Sequence, residues 1–131
     1  MNVILQDEII KKFHNLFTTN LGTLNDVYIS VLDGWSLIII ECLKEINTYL
    51  SNSNDNILVN DFYILDIKES YGKLVIYTSV LNEDIENIIL KYTEKSLITC
   101  ELTGLPGKIR YKNGFYKTLS DDAAKKMKFN I

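Results

Sequence analysis

Between Trp35 and Leu50 one apolar stripe runs through Trp35, Ile38, Ile39, Cys42, Leu43, Ile46 and Leu50, with Glu41, Lys44, Glu45 and Asn47 facing out. Steps of three and four match the period of an α-helix. A stripe of this width has to be covered, so the rest of the chain must supply a partner surface. Asp33 and Gly34 punctuate its start, and the turn formers Ser51 to Asn56 end it. Ile9, Ile10, Phe13, Leu16 and Phe17 predict a shorter helix over Asp7 to Phe17, with Lys11 and Lys12 on its outer side. Asn82 is a good N-cap, and Glu83 and Asp84 suit the positive end of a helix that carries Ile85, Ile88, Ile89 and Tyr92 toward Thr99.

The strands are read from alternation and from turn residues. Val27 to Leu32 alternates weakly, after a polar loop with Gly22. Ile57 to Glu69 and Lys73 to Val80 flank Ser70-Tyr71-Gly72, which predicts an antiparallel hairpin. Val59, Tyr63, Leu65 and Ile67 then share one face, and Phe62 and Ile64 the other. A second hairpin turns at Lys112-Asn113-Gly114, and Ser120 caps a last helix from Asp121 to about Lys128. Hairpins mixed with helices predict an α+β fold: antiparallel sheet against three main helices, then a C-terminal hairpin and short helix. One Pro and the lack of a Gly/Ser-rich linker predict a single globular domain over 1–131.

Two distant cysteines, Cys42 and Cys100, suit a reducing, cytoplasmic setting better than a disulfide scaffold. The longest apolar run is four residues, Leu37 to Ile40, so no membrane span is expected. Charge is unevenly placed. Residues 1–107 carry 7 Lys/Arg against 15 Asp/Glu, and residues 108–131 carry 7 against 2. An acidic body with a basic end is the pattern of a partner surface as well as of ordinary solvated faces.

Chemistry is thinly supplied. The one histidine, His14, has no local cysteine or serine partner, and Cys42 reads as a small core residue. Glu83, Asp84 and Glu86, and likewise Asp121 and Asp122, are explained as helix-start acids. No GxxxxGK, GxGxxG or HExxH occurs. No enzyme activity and no cofactor are therefore expected. The stretch TCELTGLPGKIRYKNGFYKTLSDDAA, Thr99 to Ala124, has the layout of a zinc knuckle without its ligand pairs. Cys100 stands alone, and no metal is expected.

Three segments carry a resemblance: DGWSLIIIECLKEI (33–46), FYILDIKESYGKLVIY (62–77) and EKSLITCELTGLPGKIRYKNGFYKTLSDDAA (94–124). Together they resemble a family of small bacterial and phage proteins with a Gly-Trp-led helix, a KEKFG-like hairpin and a terminal CxxC…CxxH knuckle. The family has no firmly assigned activity, so the resemblance implies organisation and no reaction. It implies that the ligand positions are Cys100, Thr103, Ser120 and Ala123, of which only the first is kept. Glu101, Gly104, Pro106, Gly107, Lys117, Thr118 and Leu119 match its flanking pattern. Residues 99–128 are thus expected to be a degenerate knuckle held by apolar packing of Leu102, Leu105, Ile109, Phe115, Tyr116 and Leu119.

The expected function is a non-enzymatic, protein-binding inhibitor, a cytoplasmic immunity protein for a cognate bacterial toxin domain. Asp61, Asp66, Glu69, Tyr71, Glu83, Asp84 and Glu86 are its candidate contacts. Two alternatives stay open. One is a nucleic-acid-binding module using Lys108, Arg110, Lys112, Lys117, Lys125, Lys126 and Lys128 with Tyr111, Phe115 and Tyr116, against which stand the single Arg and the acidic body. The other is a phage anti-defence protein.

Overall fold

A computed structural model describes residues 1–130. The elements run α1 (Val3–Lys12), β1 (Ile29–Ser30), α2 (Ser36–Ser51), α3 (Asn56–Asp61), β2 (Ile64–Ser70), β3 (Lys73–Thr78), α4 (Glu83–Ser96), β4 (Lys108–Lys112), β5 (Phe115–Leu119) and α5 (Asp121–Met127). The fold is α+β, with a three-stranded sheet in the order β1-β2-β3 and a separate β4-β5 hairpin. No helix is long and apolar enough to cross a membrane among the described residues.

Helix α2 buries the stripe Ile38, Ile39, Cys42, Leu43, Ile46 and Leu50. It packs against α4, and α4 packs on β3. Ile64, Ile67, Leu74 and Ile76 from the sheet and Leu16, Phe17 and Trp35 from the connections complete this main core. The N-cap of α4 is Asn82, which accepts from the Ile85 N–H at 3.0 Å.

Four expectations are corrected. The first helix starts earlier and splits, because Asn2 caps it by accepting from the Ile4 and Leu5 amides. A 3₁₀ turn, His14–Phe17, then takes over and drives Leu16 and Phe17 inward. Ile57 to Asp61 is helix rather than strand, because Asp55 caps α3 and only Leu58 of the Ile57-Leu58-Val59 run is buried. The register shifts between Ile64 and Asp66, so a bulge at Leu65 puts Ile64 and Ile67 in the core together and turns Leu65 outward. Finally, β1 is two residues long and pairs parallel to β2, Ile29 opposite Ile67.

Both hairpins close on two-residue turns. Tyr71 and Gly72 have φ of 50° and 85°, and Asn113 and Gly114 have 48° and 87°. Positive φ at both positions is the type I′ geometry that matches strand twist. Beside the first hairpin, α4 satisfies the edge of β3 at Leu74. The Leu74 N–H donates to Ser96 Oγ at 2.9 Å, and Thr93 Oγ1 donates to the Leu74 carbonyl at 2.9 Å. Ser96 is fully buried. Ser96→Ala would leave the Leu74 amide buried without an acceptor and is expected to cost about 1–3 kcal/mol in urea denaturation; a change below about 0.5 kcal/mol would show that the edge does not need it.

Candidate functional site

The C-terminal subregion is seated on the main body through Leu32 to Trp35 and through the tip of the first hairpin. The Gly34 N–H donates to the Glu101 carbonyl at 2.7 Å, and Trp35 Nε1 donates to the Thr99 carbonyl at 2.8 Å. Only glycine fits at position 34. A Cβ there would lie 2.5 Å from the Glu101 carbonyl oxygen and 2.6 Å from the Gly104 nitrogen. Glu101 is buried, with its carboxylate accepting from the Leu32 N–H at 3.0 Å and from Lys117 Nζ at 2.9 Å. Its own N–H donates to the Thr118 carbonyl at 2.9 Å, and Thr118 Oγ1 donates to the Gly72 carbonyl at 2.6 Å. This chain of bonds ties α2, the first hairpin and the second hairpin together.

The four knuckle positions do converge. Cys100 is buried, and Thr103 and Ser120 lie near enough to its thiol to act on its titration. Ala123 packs in the same small cluster with Cys100, Leu119 and Ala124. Ser120 Oγ also accepts from the Ala123 N–H at 3.2 Å. The donor set is one thiol, two hydroxyls and a methyl, which does not fit a structural zinc ion. No group of three His, Cys, Asp or Glu side chains able to hold a metal occurs among the described residues. The packing differs from the expectation: Leu119 is buried and Leu102 partly so, but Leu105, Ile109, Phe115 and Tyr116 are exposed. Small side chains and hydrogen bonds occupy the knuckle's interior, and the aromatics stay outside.

Burial pushes the Cys100 thiol up, but the hydrogen bonds from Thr103 and Ser120 outweigh it and bring the pKa down to about 7. An unfolded thiol titrates near 8.5. Between these values the unfolded chain binds the extra proton, so stability rises with pH from about 7 to about 9 and the gain is lost as pH falls through 7. The gain is expected to be about 1–2 kcal/mol relative to Cys100→Ala, measured by denaturation across that range. Identical pH profiles for the two proteins would contradict it. Cys42 behaves oppositely: burial first, then the Glu45 charge, push its thiol up to about 12.

The basic residues are partly consumed inside the fold. Arg110 is buried, donating through Nε to the Leu119 carbonyl at 3.1 Å and through Nη2 to Asp121 at 2.7 Å. Lys112 donates to the Met127 carbonyl at 3.2 Å and lies over the Phe129 ring. Lys117 bridges Glu69 and Glu101. Lys108, Lys125, Lys126 and Lys128 remain exposed. Three of the seven charges that suggested phosphate contacts are therefore held by the fold. The Tyr111 and Tyr116 rings meet at a tilt of 57° with centroids 5.2 Å apart, and Tyr71 lies 6.3 Å from Tyr116 at the junction of the two hairpins.

The expected acidic contacts fall into two groups. Glu69 accepts from the Gly72 N–H at 2.9 Å and belongs to the hairpin tip with Tyr71. At the opposite end of that hairpin, roughly 17 Å away at about 3.4 Å per residue, lie Asp61, Glu83, Asp84 and Glu86; Asp66 sits between, next to the bulge. The Asp61 carbonyl accepts from Ser79 Oγ at 2.7 Å, which joins α3 to the approach to α4. Tyr49 donates to Asp84 at 2.8 Å, and the charges of Asp84 and Asp55 both hold its hydroxyl above the usual range, the hydrogen bond to Asp84 acting most.

This acidic end has a signal that sequence reasoning missed. Residues 45–67 and 74–90 contain no Lys or Arg, but hold Glu45, Asp55, Asp61, Asp66, Glu83, Asp84 and Glu86. Among the described residues, none of Asp55, Asp61, Glu83, Asp84 and Glu86 is in a salt bridge. Two large apolar side chains stand on the same segments, Ile57 at 75% and Leu81 at 84% exposure. In comparisons by sequence and by structure, no protein-family model, no curated protein and no solved structure matches the chain.

Proposed function

We propose that this chain is a non-enzymatic inhibitor that covers a basic protein domain, acting as an immunity protein toward a bacterial toxin. The observation that carries the reading is the un-neutralised acidic end around the exposed Ile57 and Leu81. Unpaired carboxylates steer a basic partner and select against acidic ones. Exposed aliphatic side chains beside them supply area whose burial slows dissociation. Glu69 leaves this surface, because its carboxylate serves the Tyr71-Gly72 turn and Lys117. Asp55 joins it.

A binder rather than a catalyst is supported by the state of the nucleophiles. Cys42 and Cys100 are both buried, and His14 meets Thr18 at 3.3 Å with neither thiol beside it. A phage anti-defence protein would use the same surface chemistry, and the identity of the adjacent gene separates the two.

The test is association with the basic toxin domain encoded beside this gene, followed by surface plasmon resonance at several salt concentrations. Combined Glu83→Lys, Asp84→Lys and Glu86→Lys is expected to slow association roughly 100-fold at low salt and to abolish protection in cells. Absence of binding, or binding that is insensitive to both salt and charge reversal, would overturn the proposal.

A further inference from the structure

Strand β3 is the outer strand of the three-stranded sheet. Alternate residues of such a strand turn their N–H and C=O toward β2 and away from it. The two bonds from Leu74 to Ser96 and Thr93 show that Leu74 points its groups outward, and Ser79, five residues on, points its N–H inward to the Tyr63 carbonyl. By this alternation Ile76 and Thr78 also point outward. Among the described residues no hydrogen bond to those outward groups accompanies the two at Leu74.

Helix α4 explains the difference. Glu86, Ile89, Leu90 and Thr93 recur at helical spacing and form one wall of a groove whose other wall is Ile76, Tyr77 and Thr78, closed by Leu81. Its volume is about 260 Å³. At the Thr93 end the helix supplies hydroxyls and satisfies the strand. One turn earlier it presents Ile89 and Leu90, which offer neither donor nor acceptor. The groove thus combines unpaired backbone groups with apolar walls, and Leu90 and Tyr77 are half exposed along it. Water satisfies such an edge poorly beside aliphatic walls, whereas an added strand brings both backbone partners and apolar side chains.

We propose that this groove binds an extended segment of a partner protein by strand addition to β3 at Ile76 and Thr78, with apolar side chains alternating into the groove and a Lys or Arg meeting Glu86. The basic residue follows from charge at the helix wall: Glu86 lines the groove, Glu83 and Asp84 precede it on α4, and none of the three is in a salt bridge among the described residues, Lys68 standing instead over the Tyr77 ring on the strand wall. The inference rests on the reading of the chain as a protein-binding module and specifies the form of the partner at one edge of the acidic end.

The probe is a seven-residue peptide of alternating valine and threonine with an N-terminal arginine, set against the same peptide with its central amides N-methylated. In the free protein the Ile76 and Thr78 amides are expected to exchange at least about 10-fold faster than those of Val75 and Tyr77. Millimolar peptide shifts the Ile76 and Thr78 resonances and slows their exchange, the N-methylated peptide does neither, and Glu86→Lys weakens the effect about fivefold or more. Equal protection of all four amides in the free monomer, no shift at Ile76 and Thr78, or equal binding of the N-methylated peptide would overturn the proposal. Protection that appears with concentration-dependent dimerisation would assign the edge to a second copy of the chain and overturn it too. Loss of the peptide effect with retained, charge-sensitive binding of the toxin domain removes strand addition and leaves the inhibitor reading intact.

Discussion

The buried carboxylate of Glu101 has two partners that come from opposite parts of the chain. It accepts from the Leu32 amide, at the entry to α2, and from the Lys117 ammonium on β5. A carboxylate taken out of water is costly unless it is both paired and hydrogen-bonded. The energy that satisfies it is available only when Leu32 and Lys117 stand on either side. That requirement fixes where the C-terminal hairpin sits. The same seat excludes a side chain at Gly34 and gives the Trp35 indole its acceptor, the Thr99 carbonyl.

Residues 99–124 are therefore attached to the body by their own side chains and backbone. In a zinc knuckle the ion supplies most of the order of a short, loop-rich segment. Here Cys100 and Ala123 pack with Leu119 and Ala124, and Ser120 Oγ accepts from the Ala123 N–H, while Thr103 is exposed. Outside it, Glu101, Lys117 and Thr118 carry the attachment to the body. Gly107 allows the backbone of Cys100 and Leu119 to approach, since a Cβ there would lie 3.0 Å from each.

Much of the fold was legible because burial writes a period into the sequence. The stripes of α2 and α4, the Asn82 and Ser120 caps, and both hairpin turns rest on local chemistry and fall where they were expected. What failed was non-local or non-periodic. Ile57-Leu58-Val59 has no period, and the cap at Asp55 decided for helix. The bulge at Leu65 breaks the alternation on which the strand faces were assigned. A two-residue parallel strand is set by its neighbour, and Ile29 has no local feature that names Ile67. Arg110, Lys112 and Lys117 were read as surface charges, which is the usual position for such residues. The acidic end was half legible: its acids were named, but its separation from Glu69 and Tyr71 depends on the length of the hairpin.

The two ends of the molecule thus divide the work. The hairpin tips and residues 99–119 hold together through Glu101, and the acids at the far end form no salt bridge among the described residues. The most direct test of the seat is Glu101→Gln, which keeps the shape of the side chain and removes its charge. Breaking a buried pair in this way is expected to cost about 3–5 kcal/mol in urea denaturation, with native-state hydrogen exchange accelerating at Gly34 and Trp35 together with residues 99–119. A cost below about 0.5 kcal/mol, or acceleration confined to Lys117, would contradict the claim that this carboxylate joins the two parts.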